Sequence, residues 1–202
     1  MSVIALIRHG LTDWNVENRV QGVSDIPLNQ AGIEQANALA TRITTERTHD
    51  WGALFSSPLG RAKETASPVA HALNLEIQEL GAFRERNYGM GEGLTWHEIQ
   101  QRYGDDVPGR ETAPEVRARA LPALFDLIDD NRDKNALLVS HGGTIRAVLQ
   151  AITRGHFPSS GEAIENTSIH LIHHQDDQLW MEGFEPVDRD YLRQLISEQR
   201  LV

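Results

Sequence analysis

Ile4-Ala5-Leu6-Ile7-Arg8-His9-Gly10 is an apolar run of strand formers that stops abruptly at a cation, an imidazole and a glycine. Buried parallel strands read as continuous apolar runs, and open α/β sheets bind ligands just beyond the carboxyl ends of their strands. Arg8 and His9 are therefore expected at the mouth of a cleft. The pattern returns at Ala136-Leu137-Leu138-Val139-Ser140-His141-Gly142-Gly143. Two strands ending in His-Gly would bring together imidazoles from distant parts of the chain. The plainer alternative, two unrelated histidines at strand ends, is weighed against the neighbouring residues.

Working outward, Leu11 to Leu28 reads as a long polar loop, of the kind that is more often functional than filler. Asn29 is a candidate N-cap for a helix whose apolar face is Ile33, Ala36, Ala40 and Ile43. Trp51 to Phe55 reads as a second strand. Ser57 is expected to cap the next helix, with Pro58 at its first position and Arg61 in its first turn. An extended segment within Leu75–Phe83 and a glycine-rich turn at Gly89, Gly91 and Gly93 lead to a short helix near Thr95–Tyr103. Thr112 and Glu115 form a capping-box pattern ahead of a helix that Pro122 is expected to bend. After the second strand-to-His unit, the chain reads as a helix through Ile152 and two strands joined at Gln175-Asp176-Asp177. Asp188 is then a candidate cap for a closing helix. Strands alternating with helices predict an α/β fold with a mainly parallel sheet.

The 202 residues suffice for one sizeable domain with a substantial core. No apolar stretch approaches the ~20 residues of a membrane span, and no basic leader precedes a signal-like run. The expected location is cytoplasmic. With no cysteine, disulfides, thiolate metal sites and a cysteine nucleophile are excluded. A net charge of −10 argues against nucleic acid or an anionic membrane as partner. An anionic ligand would then need a local cluster of arginine and histidine to overcome the field of the whole molecule.

Arg8, His9, Asn15, Arg61, Glu85 and His141 are the polar groups expected near strand ends. Two arginines, two imidazoles and an amide suit a tetrahedral oxyanion, because guanidinium is planar and permanently charged and imidazole titrates near neutrality. Each alone would more often be a surface group; their joint placement raises the odds. The nucleoside-triphosphate loop Gly-x-x-x-x-Gly-Lys-Ser/Thr is missing, and Gly89-Met90-Gly91-Glu92-Gly93 does not make a dinucleotide turn. A histidine nucleophile is the economical choice.

Leu6-Ile7-Arg8-His9-Gly10 with Thr12, Trp14-Asn15 and Arg19-x-Gln21-Gly22 resembles the signature of the histidine phosphatase superfamily. That group includes cofactor-dependent phosphoglycerate mutases and many phosphomonoesterases. Ser56-Ser57-Pro58-Leu59-Gly60-Arg61-Ala62 with Thr65-Ala66, Arg84-Glu85, Glu92-Gly93-Leu94-Thr95 and Ser140-His141-Gly142-Gly143-Thr144-Ile145-Arg146 continue the match in order over nearly the whole chain. The resemblance implies a three-layer α/β/α sandwich, as one domain over residues 1–202 with a small cap-like insertion around 85–112. It makes His9 the nucleophile that becomes a phosphohistidine, its ring held by a backbone carbonyl, here that of Gly10. Arg8, Arg61 and His141 would gather the equatorial oxygens, with Asn15 as a further phosphate contact. Glu85 would protonate the leaving alkoxide and then take a proton from the attacking water.

The same resemblance points to Arg19, Gln21, Gly22, Arg86, Tyr88 and Gly142 as substrate contacts; Asn166 is a further candidate for the pocket wall. No metal and no other cofactor is expected. The partner would be a small phosphorylated substrate, with the protein a monomer or homodimer. Leu11, Gly91 and Lys63-Glu64 depart from common family choices at the mouth of the site, which bears on substrate preference. Phosphatase is preferred to mutase because Gly143 follows His141-Gly142, where mutases favour Asn, and because Thr95–Pro114 is short for a cap that excludes water. A non-catalytic binding member of the fold is the second class of reading, and an aryl phosphate assay separates it. A metal site on His170, His173 and His174 is the third; adjacent strand residues point to opposite faces, which makes joint ligation awkward.

Overall fold

In the computed structural model, which describes residues 1–198, the two His-terminated runs are neighbouring strands at the centre of one sheet. β1 (Ser2–Arg8) and β4 (Asn135–Ser140) lie parallel with Arg8 opposite Ser140. On the far side of β4 follow β2 (Trp51–Ser56) and β3 (Ile77–Glu79), both parallel to it. On the other side of β1 come β5 (Ile169–Gln175), β6 (Gln178–Trp180) and β7 (Val187–Asp188), each antiparallel to its neighbour. The sheet is thus mixed, in the order β3-β2-β4-β1-β5-β6-β7. Helical crossovers join only the first four strands. β5 and β6 are joined by Asp176-Asp177 with φ of 49° and 62°, a left-handed pair that turns the chain straight back.

Helices α2 (Gln30–Glu46) and α3 (Gly60–Leu73) cover one face. They bury Leu39, Ala40, Ile43, Ala62, Ala66 and Val69 on Ala5, Ile7, Leu137 and Val139. Helices α5 (Ala113–Asp130), α6 (Gly142–Ile152) and α7 (Arg189–Glu198) cover the other, on Ile4, Leu6, Ala136 and Leu138. Strand side chains alternate between faces, so a continuous apolar run is what a strand sandwiched between two helical layers requires. Each fully buried Leu, Ile or Val of this kind contributes about 1.5–3 kcal/mol.

Several local expectations are met. Asn29 caps α2, its Oδ1 accepting the Gly32 N–H at 2.9 Å. Thr112 and Glu115 form a reciprocal capping box at the start of α5, which runs on through Pro122. The expected cap at Ser57 is not there: α3 starts at Gly60, and the Gly60 N–H goes to Asp25 Oδ1 at 2.8 Å. Ser57 is instead engaged by an imidazole.

Between β3 and α5 the chain makes two 3₁₀ turns and α4 (Trp96–Tyr103), capped by Thr95 and Glu98. Ile99 and Val107 from this segment, with Val20 from the polar loop, form a small apolar cluster of their own. Where β1 runs out, the chain presses on α2: a Cβ on Gly32 would lie 2.0 Å from the Leu11 carbonyl oxygen, and one on Gly10 would lie 2.7 Å from that of Gly32. Only glycines permit this approach. It sets the direction in which the chain leaves His9.

Candidate active site

His9 and His141 each stand one residue past the ends of β1 and β4, and their ring centroids are 5.1 Å apart. The register explains it, since the His9 N–H donates to the Ser140 carbonyl at 3.0 Å. Both rings are buried. His9 Nδ1 donates to the Gly10 carbonyl at 2.7 Å, which fixes the proton on Nδ1 and leaves Nε2 with a free lone pair. Burial, then the charges of Arg61 and Arg8, hold the His9 imidazole well below its usual value, against a smaller raising effect of the Gly10 carbonyl. It is therefore neutral at pH 7, as a nucleophile must be.

His141 is also pushed well down, by burial first and then by Arg61, His9 and Arg8. Its Nε2 shares a 2.7 Å hydrogen bond with Ser57 Oγ, while Nδ1 has no protein partner. Ser57 Oγ also accepts the Leu59 N–H at 3.3 Å.

Arg61 is fully buried in the first turn of α3, as its place in the sequence predicts. It donates to the carbonyls of Ser24 and Gly22, both at 2.8 Å, and Arg8 donates to that of Ile164 at 2.5 Å. Neither arginine forms an ion pair among the described residues, and Nε of each is buried without a partner. Burial lowers both guanidinium values, opposed chiefly by the charge of Glu85. Of six unpartnered buried side-chain atoms among the described residues, Arg8 Nε, Arg61 Nε, His141 Nδ1 and Gln21 Oε1 belong to this one region. Buried polar groups are ordinarily satisfied, so the two guanidinium N–H donors call for an acceptor in this region, while the Gln21 amide oxygen calls for a donor.

Glu85 docks on the amino-terminus of α6. Its Oε1 accepts the N–H groups of Arg86 at 2.7 Å and Thr144 at 3.0 Å, and its Oε2 that of Gly143 at 3.1 Å. The missing Cβ at Gly143 allows this; one there would sit 2.8 Å from Oε1 and 3.0 Å from the Tyr88 hydroxyl. Burial, with the Glu85 charge, pushes the Tyr88 phenol up to about 12, so it remains a hydroxyl donor.

A cleft of about 590 Å³ opens over these groups, lined by Arg8, His9, Arg61 and Glu85 and by each expected contact: Asn15, Arg19, Gln21, Gly22, Arg86, Tyr88, Gly142 and Asn166. His141 lies behind this lining, in ring contact with His9. Asn15 also has a local duty, since Thr12 and Asn15 cap the one-turn helix α1 (Asp13–Val16) reciprocally. Asn166 Nδ2 ties this corner down by donating to the His9 carbonyl at 2.8 Å. The Arg19 guanidinium is largely engaged by Glu17 and the Gly93 carbonyl, both at 2.7 Å.

Several residues that the motifs contain without an assigned role also contribute. Thr65 Oγ1 accepts the Gly10 N–H at 2.9 Å and donates to the Arg61 carbonyl at 2.7 Å, coupling the loop after His9 to α3. Glu92 accepts the N–H groups of Val23 and Ser24 at 2.9 and 3.0 Å, shaping the loop whose carbonyls hold Arg61. Arg146 joins the cationic lining at the outer cleft. The apolar run before His141 locates a strand end; nothing in the local pattern of Glu92 or Arg146 distinguishes them from surface charges.

The three strand histidines do not meet in a metal site. His173 stacks on Trp180 at 5.5 Å, His174 contacts Ser2 and Arg189, and His170 bonds Ser168. Among the described residues no group of three or more His, Asp or Glu is placed to hold a metal ion, and no helix is long and apolar enough to cross a membrane.

The family model for the histidine phosphatase superfamily (branch 1) matches residues 4–185. The uncharacterized phosphatase PhoE of Bacillus subtilis (strain 168) is 40% identical over 158 residues, covering 77% of this chain and 79% of that protein. A metal-independent phosphoserine phosphatase of Arabidopsis thaliana is 32% identical over 192 residues, covering 88% of this chain and 78% of its own. Among solved structures, Bacillus stearothermophilus YhfR superposes with a TM-score of 0.81 at 28% identity, over 95% of this chain and all of that one.

Proposed function

This chain belongs to the histidine phosphatase superfamily, branch 1, and from that premise we propose the following roles for its site residues. The protein is a phosphomonoester hydrolase acting on small phosphorylated metabolites through a phosphohistidine. His9 Nε2 attacks phosphorus while the P–O bond to the leaving group breaks, and Glu85 gives that oxygen its proton. Water then attacks the phosphohistidine, Glu85 takes a proton from it, and inorganic phosphate leaves with His9 neutral again. Arg8, Arg61 and His141 hold the equatorial oxygens, where preorganised donors stabilise charge spread over the phosphoryl group.

One observation carries this reading: a neutral His9, its tautomer set by the Gly10 carbonyl, beside the buried Arg61 and the half-buried Arg8, neither with a carboxylate partner among the described residues. Arg86, Tyr88 and Arg146 at the outer cleft support a leaving group with acceptors of its own. The partner in this proposal is the substrate alone, the location is the cytoplasm, and the protein works as a monomer or homodimer.

A phosphomonoester panel, run beside 3-phosphoglycerate isomerisation, tests the choice. Phosphate release is expected to outpace isomerisation, and the reverse would make the protein a mutase. Quenching into alkaline denaturant during turnover should trap phosphate on the protein that is stable to base and lost in acid, and His9→Ala should abolish it. Label persisting on the His9→Ala protein would remove His9 from the nucleophile's role.

A further inference from the structure

Glu85 lies in a stretch, residues 84–88, with no helix or strand of its own, between the two 3₁₀ turns Gly81–Phe83 and Gly89–Gly91. A proton donor must nevertheless be held to within a fraction of an ångström, because displacement of about 1 Å can cost 10²-fold in rate. Side chains from elsewhere supply the missing restraint. Arg119, on α5, donates to three carbonyls of this stretch and its lead-in: Ala82 at 2.5 Å, Arg84 at 3.0 Å and Glu85 at 3.3 Å. Glu111, just before the N-cap of α5, receives Arg84 through both terminal nitrogens at 3.1 and 3.2 Å and Arg119 at 2.7 and 3.0 Å. The same carboxylate accepts the Asn87 N–H at 3.1 Å. The Glu111 backbone adds a 2.8 Å bond to the Asn87 carbonyl and accepts Arg86 Nε.

The restraint also reaches the far side of Glu85. Thr144 donates its hydroxyl to the Arg84 carbonyl at 2.7 Å and its N–H to the Glu85 carboxylate at 3.0 Å, and Arg119 lies 3.5 Å from that hydroxyl. Residues 84–87 are each tied to Glu111, Arg119 or Thr144.

We propose that Glu111 and Arg119 are positioning residues for the proton transfer, holding the backbone on both sides of Glu85 so that its carboxyl meets the leaving oxygen. The proposal rests on the reading of Glu85 as proton donor. Burial would raise the Glu111 carboxyl, but hydrogen bonds from Arg119, the Asn87 N–H and Arg84 bring it down to about 2. It thus stays charged, and the clamp intact, across any working pH.

The test is a double-mutant cycle read on two leaving groups. Glu111→Gln and Arg119→Met are each made with Glu85 present and in a Glu85→Gln background. kcat/KM is measured for an alkyl phosphate, which needs its leaving oxygen protonated, and for p-nitrophenyl phosphate, which does not. With Glu85 present, each variant should lower the alkyl value about 10–100-fold and the aryl value at least tenfold less. With Glu85→Gln, the same substitutions should lower the alkyl value by less than about twofold, because the group they position is gone. Equal losses on both substrates, or the same loss in both backgrounds, would overturn the inference and leave only a structural role. If Arg119→Met does not fold, Glu111→Gln and the more exposed Arg84→Met carry the cycle. Should Glu85→Gln itself show no alkyl-specific loss, the assignment of Glu85 falls and takes this inference with it. An alkyl-specific loss for Glu85→Gln without one for Glu111→Gln overturns the inference alone.

Discussion

The two buried imidazoles make the empty protein sensitive to acid in a way that can be calculated. In the unfolded chain each titrates near its ordinary value of about 6.5. In the fold both are held well below it, by burial and then by Arg61 and its neighbours. A group with a lowered folded value contributes stability that is fully present above the unfolded value and lost as pH falls below it, because the unfolded state then binds the extra proton. The loss is at most about 1.36 kcal/mol per pH unit per imidazole. Between about pH 6.5 and about pH 5 that is up to ~2 kcal/mol for each ring and up to ~4 for the pair. Urea unfolding followed by circular dichroism, in oxyanion-free buffers near pH 7.5 and near pH 5, reads this directly. His9→Gln and His141→Gln should each flatten the decline by up to ~2 kcal/mol. His49, His170 and His174, whose values burial also lowers, are retained in every protein and cancel in the comparison. Saturating vanadate should shrink the wild-type decline, since an anion among the rings makes their protonation less costly. Parallel decline in the wild type and both variants would refute the claim that these rings are held neutral.

Vanadate at about 100 times its Kd should stabilise the wild type by about 2.7 kcal/mol, visible as a rise in Tm; Arg61→Met should lose most of that rise, and a full rise would remove Arg61 from the oxyanion site. Ser57→Ala should cut kcat/KM roughly tenfold by freeing His141 Nε2, and should do nothing further in a His141→Ala background; additive losses would show Ser57 acting elsewhere. Gly32→Ala, which in an open helix would gain about 1 kcal/mol, should instead destabilise by more than 1, because its Cβ would meet the Leu11 carbonyl; a raised urea midpoint would contradict that contact.

What the sequence made legible follows the range of the interactions involved. Apolar runs ending at His9 and His141 are local patterns, and they locate both strand ends and hence both imidazoles. Asn29 and Thr112 were readable as caps because a cap is decided within four residues. Ser57 shows where this fails: a good cap residue by type, it is claimed by His141, 84 residues away, and Asp25 takes the Gly60 N–H instead. The turn at Asp176-Asp177 was legible as the joint between two strands, but the antiparallel pairing of β5 with β1 joins segments too distant for any local pattern to show. The short strand β7 lacks the length to show alternation, and the one-turn helix α1 is too short to show an apolar period. Arg61, Glu85 and Asn15 were candidates from their place near strand ends, and the ordered set of motifs gave them their roles. Glu111 and Arg119 resembled ordinary helix-start and surface charges, and only their convergence on one stretch of backbone reveals their use.

β1 is the strand on which the site is built, yet its partners come from far along the chain: β4 at residues 135–140 and β5 at 169–175. A ribosome adding about 5–20 residues per second would finish β5 roughly 8–33 s after β1. Until β4 is made the nascent chain carries Val3 to Ile7, five consecutive apolar residues that are buried in the finished fold, with neither sheet edge occupied, and until β5 is made one edge stays open. Such a segment is a site for trigger-type chaperones and, unattended, for aggregation. The strand that carries His9 is thus made long before the strands that flank it, and a chain that ends before His141 lacks half of the imidazole pair.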